Sequence, residues 1–283
     1  MKKQDTIFLE YDAGYRAERS REALLIYCPT AVGYICYRLA RTACEETNAD
    51  AWRLSQVTAC DDNFENHTPI TCQGAEWEMA LRLEGRPDFI GGFAHGDERD
   101  TAVAFSLDGR ETDVRTLTER TPCHTLRVNV SSVGYDPLDS KTEALLHRKE
   151  YEMNADGILV RQRMEWLADF PLASCYAAMM PPLKAYTDTY ETNLTPATPF
   201  DLQVKKERVD GACRATLSGA ESGLSYTMEI EPYGLYPQGE RFTVTDNGGA
   251  PYNKMYFSLC EGGEVKKDTV WNTVTRYRIT RDK

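Results

Sequence analysis

The feature that most constrains this chain is a short alternation that keeps recurring. Runs of roughly four to twelve residues, rich in Val, Ile, Thr, Tyr and Phe, are separated by Gly, Asp, Asn and Pro. Successive side chains of a strand point to opposite faces, so alternation of this kind marks strands with one face on a core. The residues Leu24 to Tyr27, and the segments 33–44, 52–57, 77–83, 101–107, 125–133, 242–244 and 271–279 read this way. In the last, Trp271, Thr273, Thr275, Tyr277 and Ile279 share a face. Helical spacing is confined to 15–22 and 171–180. No repeat or low-complexity linker divides the chain, so one domain over 1–283 is expected. The segment 181–225, with Pro181, Pro182, Pro196 and Pro199, reads as a long irregular excursion. Many short strands predict an all-β fold, an antiparallel β-sandwich or jelly roll with a concave ligand-binding sheet.

Charge and cysteine usage narrow the function. The net charge is −11 and no basic stripe is present, which excludes a nucleic-acid partner that would be gripped through its phosphates. No apolar run reaches the roughly 20 residues of a membrane helix, and the start lacks an apolar signal core. The expectation is therefore no membrane partner, in a protein that is cytoplasmic, phage-associated or a mature secreted form. The nine cysteines are odd in number and show no CxxC spacing; they read as reduced core thiols. His67 and His124 have no sequence neighbours that suggest a role, and the metal expectation is none.

The strongest local signal is a hairpin at 145–167. Asn154-Ala155-Asp156-Gly157 supplies turn chemistry, and pairing Met153 with Ile158 aligns Tyr151 with Val160, Lys149 with Gln162 and His147 with Met164. His147, Lys149, Tyr151 and Gln162 then share one face, and Arg148, Glu150, Arg161 and Arg163 the other. Two readings stay open: the first face is the core, or it is a polar groove able to remove a proton beside a carboxylate. A second segment, 88–98, places His95, Asp97 and Glu98 among Gly91, Gly92 and Gly96, where the backbone can approach a ligand closely. Arg82 and Arg86 precede it and could clamp a carboxylate. Lys254 and Tyr256 repeat the Lys-x-Tyr spacing late in the chain. The sequence has no GxSxG, HExxH or GxGxxG element.

A jelly roll with His, Lys or Arg, Gln and Tyr on one strand face resembles the β-sandwich polysaccharide lyases, which cleave uronic-acid-containing glycans by β-elimination. The resemblance implies His95, His147 and Tyr151 as catalytic residues, and Arg82, Glu98, Lys149, Gln162, Lys254 and Tyr256 as substrate-binding ones. It implies a poly- or oligosaccharide partner and no required cofactor, with room for a structural calcium ion. The alternatives are a glycoside hydrolase using Asp97 and Glu98, or a non-catalytic glycan-binding or virion protein presenting Trp52 and Trp77 as sugar platforms.

Overall fold

The computed structural model describes residues 5–14, 20–44, 47, 49–74, 77–91, 98–200, 206–231, 241–246 and 248–283. Two β-sheets account for the fold, and no α-helix occurs among these residues. The larger sheet has sixteen strands. Its centre runs Val270–Arg281, Gly157–Trp166, Asp139–Asn154, Leu126–Asp136 and Glu98–Leu107, each antiparallel to the next. Beyond Glu98–Leu107 lie Ala49–Cys60, Tyr34–Cys44, Ser20–Pro29 and Ile7–Asp12. Beyond Val270–Arg281 lie Leu224–Glu231 and Arg214–Gly219. The smaller sheet has six strands, with Phe170–Met180 and Asn253–Cys260 in its middle.

The inner faces of the two sheets share one core. Trp77 packs edge-on to Tyr277, Trp166 edge-on to Trp271, and Phe242 against Phe257. Aromatic pairs in these geometries add to the burial of their area. Trp52 and Trp77, expected as surface platforms, are 2% and 0% exposed; both belong to the core, Trp52 on the strand Ala49–Cys60 and Trp77 in the segment that leads into Ala80–Leu83.

Two expectations of the sequence are corrected. The segment read as helical, 171–180, lies in the strand Phe170–Met180, where its small residues let strands crowd on both sides: Asn253–Cys260 pairs with it at one edge and Ala80–Leu83 at the other. The excursion at 181–225 carries the strands Thr189–Thr192, Thr198–Pro199, Lys206–Asp210 and Arg214–Gly219. Its prolines fall at strand ends and turns, where no ladder bond is lost.

The hairpin forms with the expected register, from Asn154 opposite Gly157 to Leu145 opposite Trp166. Arg161 donates to Glu150 at 2.8 Å on its outer face. A different kind of join lies between Glu98–Leu107 and Ala49–Cys60. They meet in a single parallel bridge, Asp50 to Arg99, and then diverge. The freed amides of the second strand are taken by side chains instead: Asp100 Oδ2 accepts from Trp52 N at 2.6 Å and Glu78 Oε1 from Leu54 N at 2.7 Å. Two carboxylates thus satisfy buried backbone donors where a neighbouring strand would otherwise do so.

Candidate functional site

Above this join the polar face of the hairpin turns inward. His147 and Tyr151 are fully buried and Lys149 and Gln162 nearly so. The face is therefore interior, not an open groove, and its polarity is matched both by neighbouring strands of the same sheet and from across the core. Glu98 Oε1 accepts from Lys149 Nζ at 2.9 Å and Ser132 Oγ at 2.5 Å, and faces His147 Nδ1 at 2.9 Å. Arg53 Nη2 stands 3.9 Å from Glu98 Oε2. Gln162 donates its amide to the carbonyls of Ala177 and Glu78, which turns its Oε1 to His147 Nε2 at 3.0 Å. Tyr151 donates to Glu78 Oε1 at 2.7 Å.

This set satisfies the rule that buried charges are paired. Burial works to raise the Glu98 carboxyl, yet Lys149, His147 and Arg53 outweigh it and hold it well below the usual carboxylate range. Burial works to lower the Lys149 ammonium, but Glu98 and Asp100 carry it above its ordinary value. Burial, with Glu78 beside it, pushes the Tyr151 phenol well up. Glu98 is thus a fixed interior anion, not a carboxyl poised across a sugar, and Tyr151 is held as a phenol.

The diverging strands open a cleft of about 460 Å³. Its wall is the 101–105 stretch of Glu98–Leu107, which pairs with Leu126–Asp136 along one edge but, among the described residues, has no strand on its cleft-side edge between the bridge at Arg99 and the pairing of Ser106 and Leu107 with Arg110–Glu111. Its base is Trp52 edge-on to Phe105, centroids 5.4 Å apart. Its charged lining comprises Asp50, Asp100, Glu111, Asp113, Arg41 and Arg115. Both guanidinium groups are occupied: Arg41 grips Asp50 at 2.8 and 2.9 Å, and Arg115 grips Glu22 at 3.0 Å through two nitrogens. Asp100 differs from the other acids. Its Oδ1 is buried with no hydrogen-bond partner among the described residues. Burial raises its carboxyl to about 6, against the opposing pull of Lys149. That places its proton exchange near neutral pH, where a general acid or base works best.

The residues expected to form one site are spread over three places. His147, Lys149, Tyr151, Gln162 and Glu98 are together in the interior. Arg82 is exposed on the smaller sheet, its guanidinium 5.9 Å from the Phe89 ring centroid. Lys254 and Tyr256 are half-buried on the same sheet, with Lys254 Nζ 5.4 Å from the Tyr256 ring centroid. His95 and Asp97 lie outside the described residues. Gly91, the last described residue before them, has φ 78°, and a Cβ there would sit 2.8 Å from the Met79 carbonyl oxygen, so glycine is required by close backbone packing. The cleft residues Asp50, Asp100, Glu111 and Asp113 were not singled out from the sequence. They come from separate segments with no shared motif, and only the parting of two strands assembles them.

No protein-family model and no curated protein matches the sequence. Solved structures do share similarity with it. A galactose mutarotase-like protein from Clostridium acetobutylicum is 9% identical, with 92% of this chain and 96% of that chain covered at a TM-score of 0.48. A galactose mutarotase-like protein from Lactobacillus casei is 10% identical, with 90% and 99% covered at 0.47. A putative aldose 1-epimerase from Escherichia coli K12 is 11% identical, with 91% and 99% covered at 0.45. These are not polysaccharide lyases, and the resemblance to that group read from the sequence is corrected accordingly.

Proposed function

We propose that the chain is a carbohydrate-active protein that holds a neutral saccharide in the cleft around Asp100 and exchanges a proton with it through that carboxyl. The observation that carries the reading is Asp100 itself: a largely buried carboxyl, with one oxygen unpartnered, whose proton affinity is raised to about 6 in a polar cleft. Backbone groups of an unpaired strand edge, carboxylates and the hydroxyls of Thr101 and Thr112 suit a ligand rich in hydroxyl groups. Neutrality follows from the lining. Four carboxyl groups face two guanidinium groups, both already paired, so a uronate would meet net repulsion. Glu98 and Lys149 lie beneath as the charged support of Asp100, not as groups that touch the sugar. The sugar-directed names of the similar structures agree with this reading, which rests on the cleft.

A panel of neutral and uronic saccharides screened by ligand-observed NMR tests it, followed by time courses for anomer interconversion and new reducing ends. Neutral sugars should bind in preference to uronates. Asp100→Asn should weaken binding or slow turnover by about tenfold or more while the fold, read by circular dichroism, is kept. Turnover of the wild type should show an inflection near pH 6. Binding without any turnover would make the protein a sugar-binding module. Indifference of both readouts to Asp100→Asn would remove the reading altogether.

A further inference from the structure

On the outer face of the larger sheet, away from the main core, Leu25, Tyr27, Tyr34, Cys36 and Cys60 form a small second cluster, covered by Phe8 and Phe64. Cys36 lies on the strand Tyr34–Cys44 and Cys60 ends the strand Ala49–Cys60. In their register Cys36 is opposite Thr58 and Tyr34 opposite Cys60, so the two thiols are diagonal neighbours on one face. The chain then loops out over 61–67 and returns to pair with Thr58 and Ala59. This return carries the His67 ring onto the thiols, with Nδ1 3.3 Å from Cys60 Sγ and 3.0 Å from Thr58 Oγ1. The loop is well fixed. Asp61 accepts from the amides of Asn63 and Glu65 and from the Asn66 side chain, and Phe64 stacks on Tyr34 at 4.3 Å. One nitrogen and two sulfurs thus lie within 4.8 Å of one another, two of the three residues buried and His67 exposed.

We propose that Cys36, Cys60 and His67 bind a zinc(II) ion, with water as the fourth ligand. Bonds of about 2.3 Å to sulfur and 2.0 Å to nitrogen at tetrahedral angles place donors roughly 3.5–3.8 Å apart, between the 3.3 Å from His67 Nδ1 to Cys60 Sγ and the 4.8 Å that bounds the whole set. Two sulfurs and an imidazole form a donor set that suits zinc and disfavours calcium or magnesium. Binding releases both thiol protons to solvent. The resulting complex of one dication and two thiolates is neutral, so it can sit among Tyr27, Tyr34 and Phe64 without an uncompensated charge. Thr58 Oγ1, 3.7 Å from Cys60 Sγ, is placed to donate to the bound thiolate, the kind of outer support that orients ligands. A direct disulfide is the rival pairing. Diagonal neighbours in an antiparallel pair have Cα atoms about 7–8 Å apart, beyond the roughly 7 Å a disulfide spans, so a bridging ion fits where a bond does not. His67, the exposed member of the three, gives the site its approach from solvent.

The test uses the reduced, metal-free full chain and cobalt(II) as a spectroscopic probe, displaced by zinc(II). One cobalt per chain should bring up the visible bands of a tetrahedral site and a thiolate charge-transfer band, and one equivalent of zinc should abolish both. Cys36→Ser and His67→Gln should each weaken zinc binding about tenfold or more. Cys213→Ser, at a half-exposed thiol elsewhere, should leave it unchanged. His67 is on the surface, so His67→Gln keeps the test decisive if Cys36→Ser fails to fold. Absence of the charge-transfer band in the wild type, or unaltered zinc affinity in His67→Gln, overturns the proposal.

Discussion

Glu98 shows what one residue does when several buried donors converge on a single carboxylate. Lys149, His147 and Ser132 all address its Oε1, and Arg53 stands beside its other oxygen. Removing one partner of a buried ion pair leaves the other charge uncompensated, which costs about 3–5 kcal/mol. Glu98→Gln should therefore lower the free energy of unfolding by about that much in urea titrations, while Lys149→Met, which leaves Glu98 its other partners, should cost less. A loss below about 1 kcal/mol for Glu98→Gln would mean that the cluster contributes specificity without stability. None of this was legible at the residue scale. His147, Lys149 and Gln162 alternate with Arg148, Glu150 and Arg161, so both faces of the hairpin read as polar. What decides the inner one is Glu98 and Glu78, supplied from 49 and 73 residues away.

At the scale of elements, the hairpin was legible because turn chemistry and alternation are local. The φ of Gly157 is 120°, and a Cβ there would come within 2.3 Å of the Tyr277 carbonyl oxygen. Gly157→Ala should thus cost about 2 kcal/mol or more, read as a fall in Tm, and would disturb the seam with Val270–Arg281 before the turn itself. A melting curve like that of the wild type would show that the strand can shift at little cost. Phe170–Met180 was not legible because Ala, Ser, Cys and Met carry little strand preference; its identity comes from the edges on both sides of it. The strands inside 181–225 are short and interrupted by proline, which hides their period. The Cys36, Cys60 and His67 cluster was invisible for a related reason. Metal-ligand spacing in sequence reports sites built on one turn, whereas this one is built by a cross-strand diagonal and a returning loop.

For the molecule as a whole, Asp100 sets a pH dependence opposite to that of an ordinary paired carboxylate. Its carboxyl is raised from 3.8 to about 6 in the folded state, so between those values the folded chain binds more protons than the unfolded one. Stability then falls as pH rises through that window. Two units correspond to roughly 3 kcal/mol, so Asp100→Asn should gain about that much on the wild type between about pH 4 and pH 7 in paired denaturant titrations. Glu98 acts in the other direction: its carboxyl is depressed, so its contribution is present at neutral pH and lost as acid protonates it. Parallel curves for Asp100→Asn and wild type would refute the raised proton affinity. The all-β class was legible in the sequence; the parting of strands that makes the cleft was not, since it depends on where Asp100 and Glu78 meet the strand edge. A ladder of backbone hydrogen bonds is neutral and largely indifferent to salt and acid. Where the Asp100 carboxyl closes the sheet in place of a ladder bond, cohesion depends on the ionisation of a side chain, so pH acts on this join in a way it does not act on strand pairings made of backbone hydrogen bonds alone.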